Sequence, residues 1–549
     1  MSKFGDFLER KFQLKEHGTT VRTEIVAGLV TFMTMVYILM VNAGMFVDLN
    51  APDLPPVSYG AIYIATAISA VVGTVLIGLL SKLPLAQASG MGLNAFFVYT
   101  VCGFMQSNGV TYANALVFVL IDGVVFVLLT VTGLRRAIFN AIPDCVKVAI
   151  PAGIGLFIAF VGLQNAGIVV LNDSTKVALA SLNFLGSATW GSVMPILVTF
   201  ATLIATVVLS KKNVKGAILW AMLGGAVLYY LLGLTVPGFY NADGYTITYT
   251  WNEATKAYVP SEIPEGCGGY FLGYAMTTET ISDVSYAETY VANILNWNPL
   301  QAFEDFGTQA VGKVFTEGFN FDYYLSFEGN TVGSLILLLI TTSLAFCLVD
   351  MFDTLGTLFG ACARGNMLDE NGNVPNMDKA MLADAIATCF GAICGTSTVT
   401  TFVESSAGIG EGGRTGLVSL VVGLCFVVAM FLSPIAQLIP TYATAAALIY
   451  VGILMMNSVS KIDWLKIEIA FPAFVTIGMM VFTYSISYGI GLGLISYVLV
   501  QLLTGKFCKK ETIVTKEDGT EEVVSERSYT DVVTMIIGLF FAVMFFLTH

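Results

Sequence analysis

Asp350, Asp353 and Glu404 are carboxylates set in stretches otherwise built of Leu, Val, Phe, Cys, Gly and small hydroxyl residues. A charge at the centre of a bilayer costs about 2.5–3.5 kcal/mol on insertion scales, so each such residue needs a partner or a function. Asp350 and Asp353 are three apart and share a helix face. Two carboxylates that close resist being ionised together, which makes the pair a candidate proton acceptor; the alternative is a pair solvated at the cytoplasmic mouth. Glu404 is flanked by hydroxyls. It can accept N–H bonds from a ligand or carry a coupling proton, or else pair with backbone N–H groups around it. Asn94, in the run ASGMGLN from Ala88, offers donors and an acceptor that suit the edge of a flat heterocycle; its alternative is a helix cap. Thr400, Thr401 and Phe402 adjoin Glu404 and complete the candidate binding set. Thr396, Thr398, Thr400 and Thr401 alternate as a short strand does, so pairing geometry competes with ligand contact. Phe96, Phe97 and Phe402 can stack on a planar ligand, although core Phe is the commoner case. Three more deep carboxylates carry other expectations: Asp384 bonded to Ser or Thr of a neighbouring span, Glu411 in a surface pair with Arg414, and Asp122 with no evident partner.

Other chemistries are poorly supplied. The only histidines are His17 and His549, and the nine cysteines contain no C-x-x-C pair. A His-ligated metal, a buried His relay and a disulfide framework are therefore not expected. No nucleophile–base constellation is evident, so the chain reads as a non-enzyme without cofactors.

The elements that must position these residues are membrane helices. Of 549 residues, 56% are hydrophobic and 11% charged, with mean hydropathy +0.79; soluble proteins carry about 25% charged residues. Fourteen apolar spans are predicted, at 24–45, 59–80, 85–104, 112–133, 146–164, 190–209 and 215–236, then 331–359, 379–395, 397–413, 414–433, 443–457, 466–484 and 486–503. With the N-terminus inside, 22 of the 25 Lys and Arg fall on the cytoplasmic side; Lys176, Lys256 and Lys313 do not. The predicted organisation is a cytoplasmic N-terminus (1–23), a first seven-span repeat (24–236), an acidic external insertion (237–330), a second repeat (331–503) and a tail (504–549). Between 238 and 330 lie twelve Asp and Glu against two Lys, most of the net charge of −13, and nothing suggests nucleic-acid binding. The apolar piece 531–547 either spans or lies at the interface.

The halves resemble each other. Ala65, Ala67, Ile68, Gly73, Gly90 and Gly92 match Ala383, Ala385, Ile386, Gly391, Gly408 and Gly410 at one offset; Ile142-Pro143 with Gly155 matches Ile439-Pro440 with Gly452; Pro195, Val198 and Thr199 match Pro472, Val475 and Thr476. Seven spans per half make the second repeat inverted, the pattern of secondary transporters, whose sites lie where broken helices of the two repeats meet. The third and tenth spans are the polar, Gly-rich ones, and backbone unwound at that depth must line a cavity or be buried in protein.

Four motifs carry a family resemblance: TVRTEIVAGLVTF from Thr20, ASGMGLNAFF from Ala88, DMFDTLG from Asp350 and GTSTVTTFVESSAGI from Gly395. Together they resemble the AzgA-like branch of the nucleobase:cation symporter-2 (xanthine/uracil permease) family, the adenine, guanine and hypoxanthine permeases. The resemblance implies an all-α polytopic membrane protein of 14 spans in a 7+7 inverted repeat, with UraA-like core (spans 1–4 and 8–11) and gate (5–7 and 12–14) domains and short strands in spans 3 and 10. It implies proton symport of purine nucleobases at the plasma membrane, often as a homodimer, with Na⁺ as the alternative coupling ion. It places the base between spans 3, 8 and 10, at Asn94, Asp350 and Glu404, with Asp353 nearby. Two departures stand out: an acidic segment of about ninety residues separates the halves, and Ala43 follows Asn42 where Pro is common. The competing expectations are a same-fold carrier of uracil or xanthine, and a sensor or adhesion role for the insertion.

Overall fold

A computed structural model describes residues 9–47, 57–104, 109–133, 142–172, 174–183, 188, 190–233, 235, 249–252, 257–260, 299–327, 329–369, 374–505, 507, 509–515, 521–527 and 530–547. Its first half runs α1 (Val21–Met35), α2 (Tyr37–Val47), α3 (Tyr59–Leu80), β1 (Gln87–Ser89), α4 (Met91–Ala95, continued by π-helical turns to Phe104), α5 (Tyr112–Thr132), α6 (Asp144–Asn165), the hairpin β2 (Val169–Asn172) and β3 (Lys176–Leu179), α7 (Trp190–Lys211) and α8 (Ala217–Gly233). After the paired strands β4 (Tyr249–Asn252) and β5 (Ala257–Pro260) come the short helices α9 (Pro299–Asp305), α10 (Lys313–Thr316) and α11 (Asp322–Leu325). The second half runs α12 (Val332–Arg364), α13 (Met377–Cys394), β6 (Val399–Thr401), α14 (Ser405–Gly410), α15 (Gly416–Ala429), α16 (Ser433–Ala436), α17 (Thr441–Met455), α18 (Ile467–Phe482) and α19 (Ile486–Leu503). A hairpin of β7 (Lys509–Thr515) and β8 (Glu521–Arg527) and a last helix, α20 (Thr530–Leu547), follow. Among the described residues, nine helices are long and apolar enough to cross a membrane by length and composition, and three apolar helices are shorter.

Helix starts follow local chemistry. Thr20, Ser58, Thr111, Thr331, Thr415 and Ser485 each accept a hydrogen bond at an N-terminus from the backbone N–H two or three residues on. Such caps satisfy donors that have no intrahelical partner. Glu24, a deep carboxylate additional to those expected from the sequence, is fully buried and strengthens one of them. It accepts from the N–H groups of Arg414 and Thr415 and from the Thr415 hydroxyl, placing an anion at the start of α15.

Two short strands cross in the middle of the protein. β1 and β6 pair antiparallel, with Gln87 opposite Thr401, Ala88 opposite Thr400 and Ser89 opposite Val399, and all six residues are buried. Three-residue strands leave their outer edges unpaired, and buried backbone groups need partners. A threonine supplies them on each side. The Thr74 hydroxyl of α3 accepts from Gln87 N and donates to Gln87 O; the Thr388 hydroxyl of α13 accepts from Val399 N and donates to Val399 O. Gly90 is required where the strands meet, because a Cβ there would lie 2.5 Å from Thr400 Cγ2. A two-fold through the pairing relates Ala88 to Thr400, a shift of 312 residues (400 − 88). The matches at a shift of 318 (383 − 65) differ from this by six residues, so Gly90 and Gly92 are not structural mates of Gly408 and Gly410.

The other repeat matches sit in equivalent places. Pro143 and Pro440 immediately precede α6 and α17. Gly155 and Gly452 face each other across those packed helices, and a Cβ on Gly155 would lie 2.7 Å from Gly452 O. Pro195 and Pro472 lie inside α7 and α18, and the carbonyl of each accepts a bond from the threonine four residues on, Thr199 at 3.1 Å and Thr476 at 2.8 Å.

Residues 299–327 are docked on the helices rather than standing apart from them. Gln309 and Asp305 accept from Ser58 N and Ser58 Oγ at 2.7 and 3.0 Å, and Asn114 donates to Gly318 O and Asn320 O at 2.7 and 2.8 Å.

Candidate functional site

The crossing strands bring distant residues of the sequence together. The amide of Asn94, one turn into α4, is wholly buried. Its Oδ1 accepts from the Ser397 hydroxyl just before β6, and its Nδ2 reaches Ser89 O at 3.4 Å. Asn94 thus ties the first break to the second. Ser397 was not singled out in the sequence, although it lies inside the quoted Gly-Thr-Ser-Thr run.

Glu404 stands immediately before α14 and is half-buried. Its Oε1 accepts a 2.7 Å hydrogen bond from the hydroxyl of Tyr37, which is wholly buried in α2. A backbone N–H, its own, also bonds the carboxylate, so the side-chain bond adds to the backbone alternative. Nothing in the sequence marks Tyr37, one aromatic residue in an apolar helix.

Asp350 and Asp353 lie in α12. Asp353 is half-buried, and Glu404 is the ionisable group that acts on it. Asp350 is fully buried. Its Oδ2 accepts from Thr388 at 3.2 Å, while Oδ1 has no hydrogen-bond partner. A pair solvated at a helix mouth does not describe Asp350. Its ionisable neighbours include Asp384, Asp353, Asp122 and Cys347.

Asp384 has the hydroxyl partners expected of it, and one more. It accepts from Thr354 Oγ1 at 2.8 Å, Thr401 Oγ1 at 3.4 Å and Gln87 Nε2 at 2.8 Å. Thr400 Oγ1 lies 2.7 Å from Thr354 Oγ1. Both threonine hydroxyls of the candidate set are thus engaged with the protein beneath the strands. Phe402 is buried beside them, its N–H bonded to Ala86 O at 2.9 Å. Phe96 packs edge-on to Phe346 and Phe97 stacks on Phe46, so both rings serve the core. Phe402 has no ring partner among the described residues.

Two expectations for the remaining carboxylates resolve differently. Glu411 pairs with Lys215 at 2.5 Å, not with Arg414. The Arg414 guanidinium instead donates to Ile409 O and Gly413 O in the turn after α14. Asp122 is fully buried and neither of its oxygens has an N–H or O–H hydrogen-bond partner.

The arrangement is a row of acids, Asp350, Asp353 and Glu404, beside a buried strand pair, with helices α4 and α14 beginning at its two ends. It offers hydrogen-bond acceptors and protonatable groups to a small ligand. Among the described residues no cluster of three or more His, Cys, Asp or Glu is arranged to hold a metal ion.

The profile Xan_ur_permease, described as "Permease family", matches residues 22–247 and 267–492. The chain is 36% identical over 500 residues to "Guanine/hypoxanthine permease PbuO" of Bacillus subtilis, covering 90% of this chain and 95% of that one. It is 32% identical over 500 residues to "Adenine permease AdeQ" of Escherichia coli, covering 91% and 92%. It is 36% identical over 501 residues to "Putative permease MJ0326" of Methanocaldococcus jannaschii, covering 91% and 94%. Among solved structures, the transmembrane domain of the cyanobacterial bicarbonate transporter BicA superposes with a TM-score of 0.53 at 14% identity, over 85% of this chain and 97% of that one. At that identity the likeness shows the fold alone, a helical polytopic membrane transporter fold.

Proposed function

Because the chain belongs to the xanthine/uracil permease family, we propose that it imports purine nucleobases by proton symport. Adenine, guanine and hypoxanthine are the substrates in view. The observation that carries this reading is the row of acids beside the crossed strands, above all Glu404, held by Tyr37 and acting on Asp353. A purine presents N–H groups along a flat edge, and a carboxylate that accepts them is also a group that can bind the coupling proton. Ligand and proton then share one residue, which gives the difference in affinity between states that coupling requires.

In this reading the base lies against Glu404, Asp353 and Asp350, with Phe402 as the ring available for stacking. Asn94, Thr400 and Thr401 shape the site: their side chains hold the strand pair and present its backbone. Fourteen spans in a 7+7 inverted repeat, counting the strand–helix segments 85–104 and 397–413 as interrupted spans 3 and 10, would carry the site on a core of spans 1–4 and 8–11. That core moves past a gate of spans 5–7 and 12–14 in an elevator-like cycle at the plasma membrane, with a cytoplasmic N-terminus, the acidic insertion outside and the protein paired as a homodimer.

Equilibrium binding to the purified full chain tests the substrate class. Adenine, guanine or hypoxanthine should bind and should compete with one another, and Glu404→Ala should abolish that binding. Saturable binding of uracil or xanthine alone would replace purine with the other reading of the same fold.

A further inference from the structure

Asp122 is the deep acid that the proposed cycle does not use. It lies in the middle of α5, fully buried, and neither oxygen has an N–H or O–H hydrogen-bond partner; the Cys347 thiol is the weak donor beside it. The groups facing it come from two packed helices. Cys347 and Asp350 belong to α12, one turn apart on one face; Cys389 and Asp384 belong to α13. Gly123 lets α13 approach closely, since a Cβ there would lie 2.6 Å from Cys389 Sγ. Further along α5, Lys313 and Glu317 of the docked segment are paired with each other. Among the described residues, the ionisable groups that act with Asp122 are these acids and thiols, with no cation between them.

An ionised carboxylate with only a weak thiol donor beside it and no cation at hand is costly in such a place, whereas a protonated one is tolerated. Asp350 repeats the feature, with its Oδ1 unpartnered. The two orphaned carboxyl groups interact electrostatically, and Asp350 also acts with Asp353 on the same helix. The row of acids therefore continues past the substrate side: Glu404, Asp353, Asp350, Asp122.

We propose that Asp122 is a proton-binding residue of the transport cycle that exchanges its proton with Asp350, away from the base. In its transport arm this rests on the proton-symport reading; in its spectroscopic arm it does not.

The spectroscopic arm uses infrared difference spectra of the purified full chain, recorded as pH is stepped. The wild type should show a titrating C=O stretch of a weakly hydrogen-bonded carboxyl group that Asp122→Asn lacks. Identical difference spectra for the two proteins would overturn the proposal. If Asp122→Asn does not fold, Cys347→Ala reads the same group, because removing the adjacent thiol should move that band; an unmoved band would overturn the proposal. The transport arm measures purine accumulation in proteoliposomes under a fixed pH gradient with the membrane potential clamped at zero. Losing one coupled proton lowers accumulation about tenfold per pH unit of gradient. Asp122→Asn should show that fall while base-for-base exchange continues. Unchanged accumulation, with the wild type coupled, would overturn the proposal. A wild type that shows no proton-driven accumulation would sink the symport reading instead, leaving the infrared spectra to decide on Asp122.

Discussion

Replacing Glu404 with Gln separates the proton from the fold. The amide retains an oxygen where the Tyr37 hydroxyl donates at 2.7 Å, so this bond survives the change. A typical hydrogen bond contributes about 0.5–1.5 kcal/mol, and with none removed the unfolding free energy should stay within about 1 kcal/mol of wild type. What Gln cannot do is take up and release a proton. One coupled proton moving down a gradient of one pH unit supplies about 1.4 kcal/mol, or about tenfold accumulation. Glu404→Gln should bring the accumulation ratio in proteoliposomes to one, while exchange of base for base, which needs no net proton movement, continues. Tyr37→Phe is the companion variant. It loses the hydrogen bond but keeps the acid, so apparent affinity should fall about two- to tenfold with accumulation retained. Wild-type concentrative uptake by folded Glu404→Gln protein would refute Glu404 as the proton carrier.

Other consequences can be checked separately. Gly155→Ala pushes a Cβ against Gly452 O and Met455 Cβ, and overpacking of this kind costs about 1–3 kcal/mol; thermal unfolding should shift downward, and an unchanged midpoint would mean that α6 and α17 part easily. Ser397→Ala strips the donor from Asn94 Oδ1 and leaves a buried acceptor unpaired, a loss of about 1–3 kcal/mol that should lower both stability and base affinity in the same preparation. Deleting 237–298 should leave purine uptake near wild type, whereas extending the deletion through 327 removes the partners of Ser58 and Asn114 and should lower the yield of folded protein.

Much of this was legible because the bilayer limits what a sequence can do. Long apolar runs and the scarcity of deep charge both follow from the cost of polar groups in lipid, and they marked the helices and the acids Asp350, Asp353, Asp384 and Glu404. The threonine alternation near Val399 marked a strand because period two is local. What escaped depends on long-range pairing. Tyr37, Gln87 and Thr354 are ordinary residues until the chain brings them to Glu404 and Asp384. Glu24 sits one turn into a helix, where an acid looks solvated, and only the arrival of α15 shows it to be a buried cap. Glu411 has Arg414 three residues away, yet the turn turns Arg414 to its own carbonyls and leaves Glu411 to Lys215. The repeat offset failed at Gly90 and Gly92 because glycine is common enough in this chain to match by accident, whereas Pro195 and Pro472 both lie inside helices with a threonine four residues on.

The central claim is proton-coupled purine transport, and the most direct measurement is uptake of radiolabelled adenine, guanine and hypoxanthine into proteoliposomes, with and without an inward proton gradient. The account predicts accumulation of at least one purine above the external concentration when the gradient is present and simple equilibration when it is absent. Accumulation driven by a sodium gradient alone, or no uptake of any purine by folded and inserted protein, would contradict it.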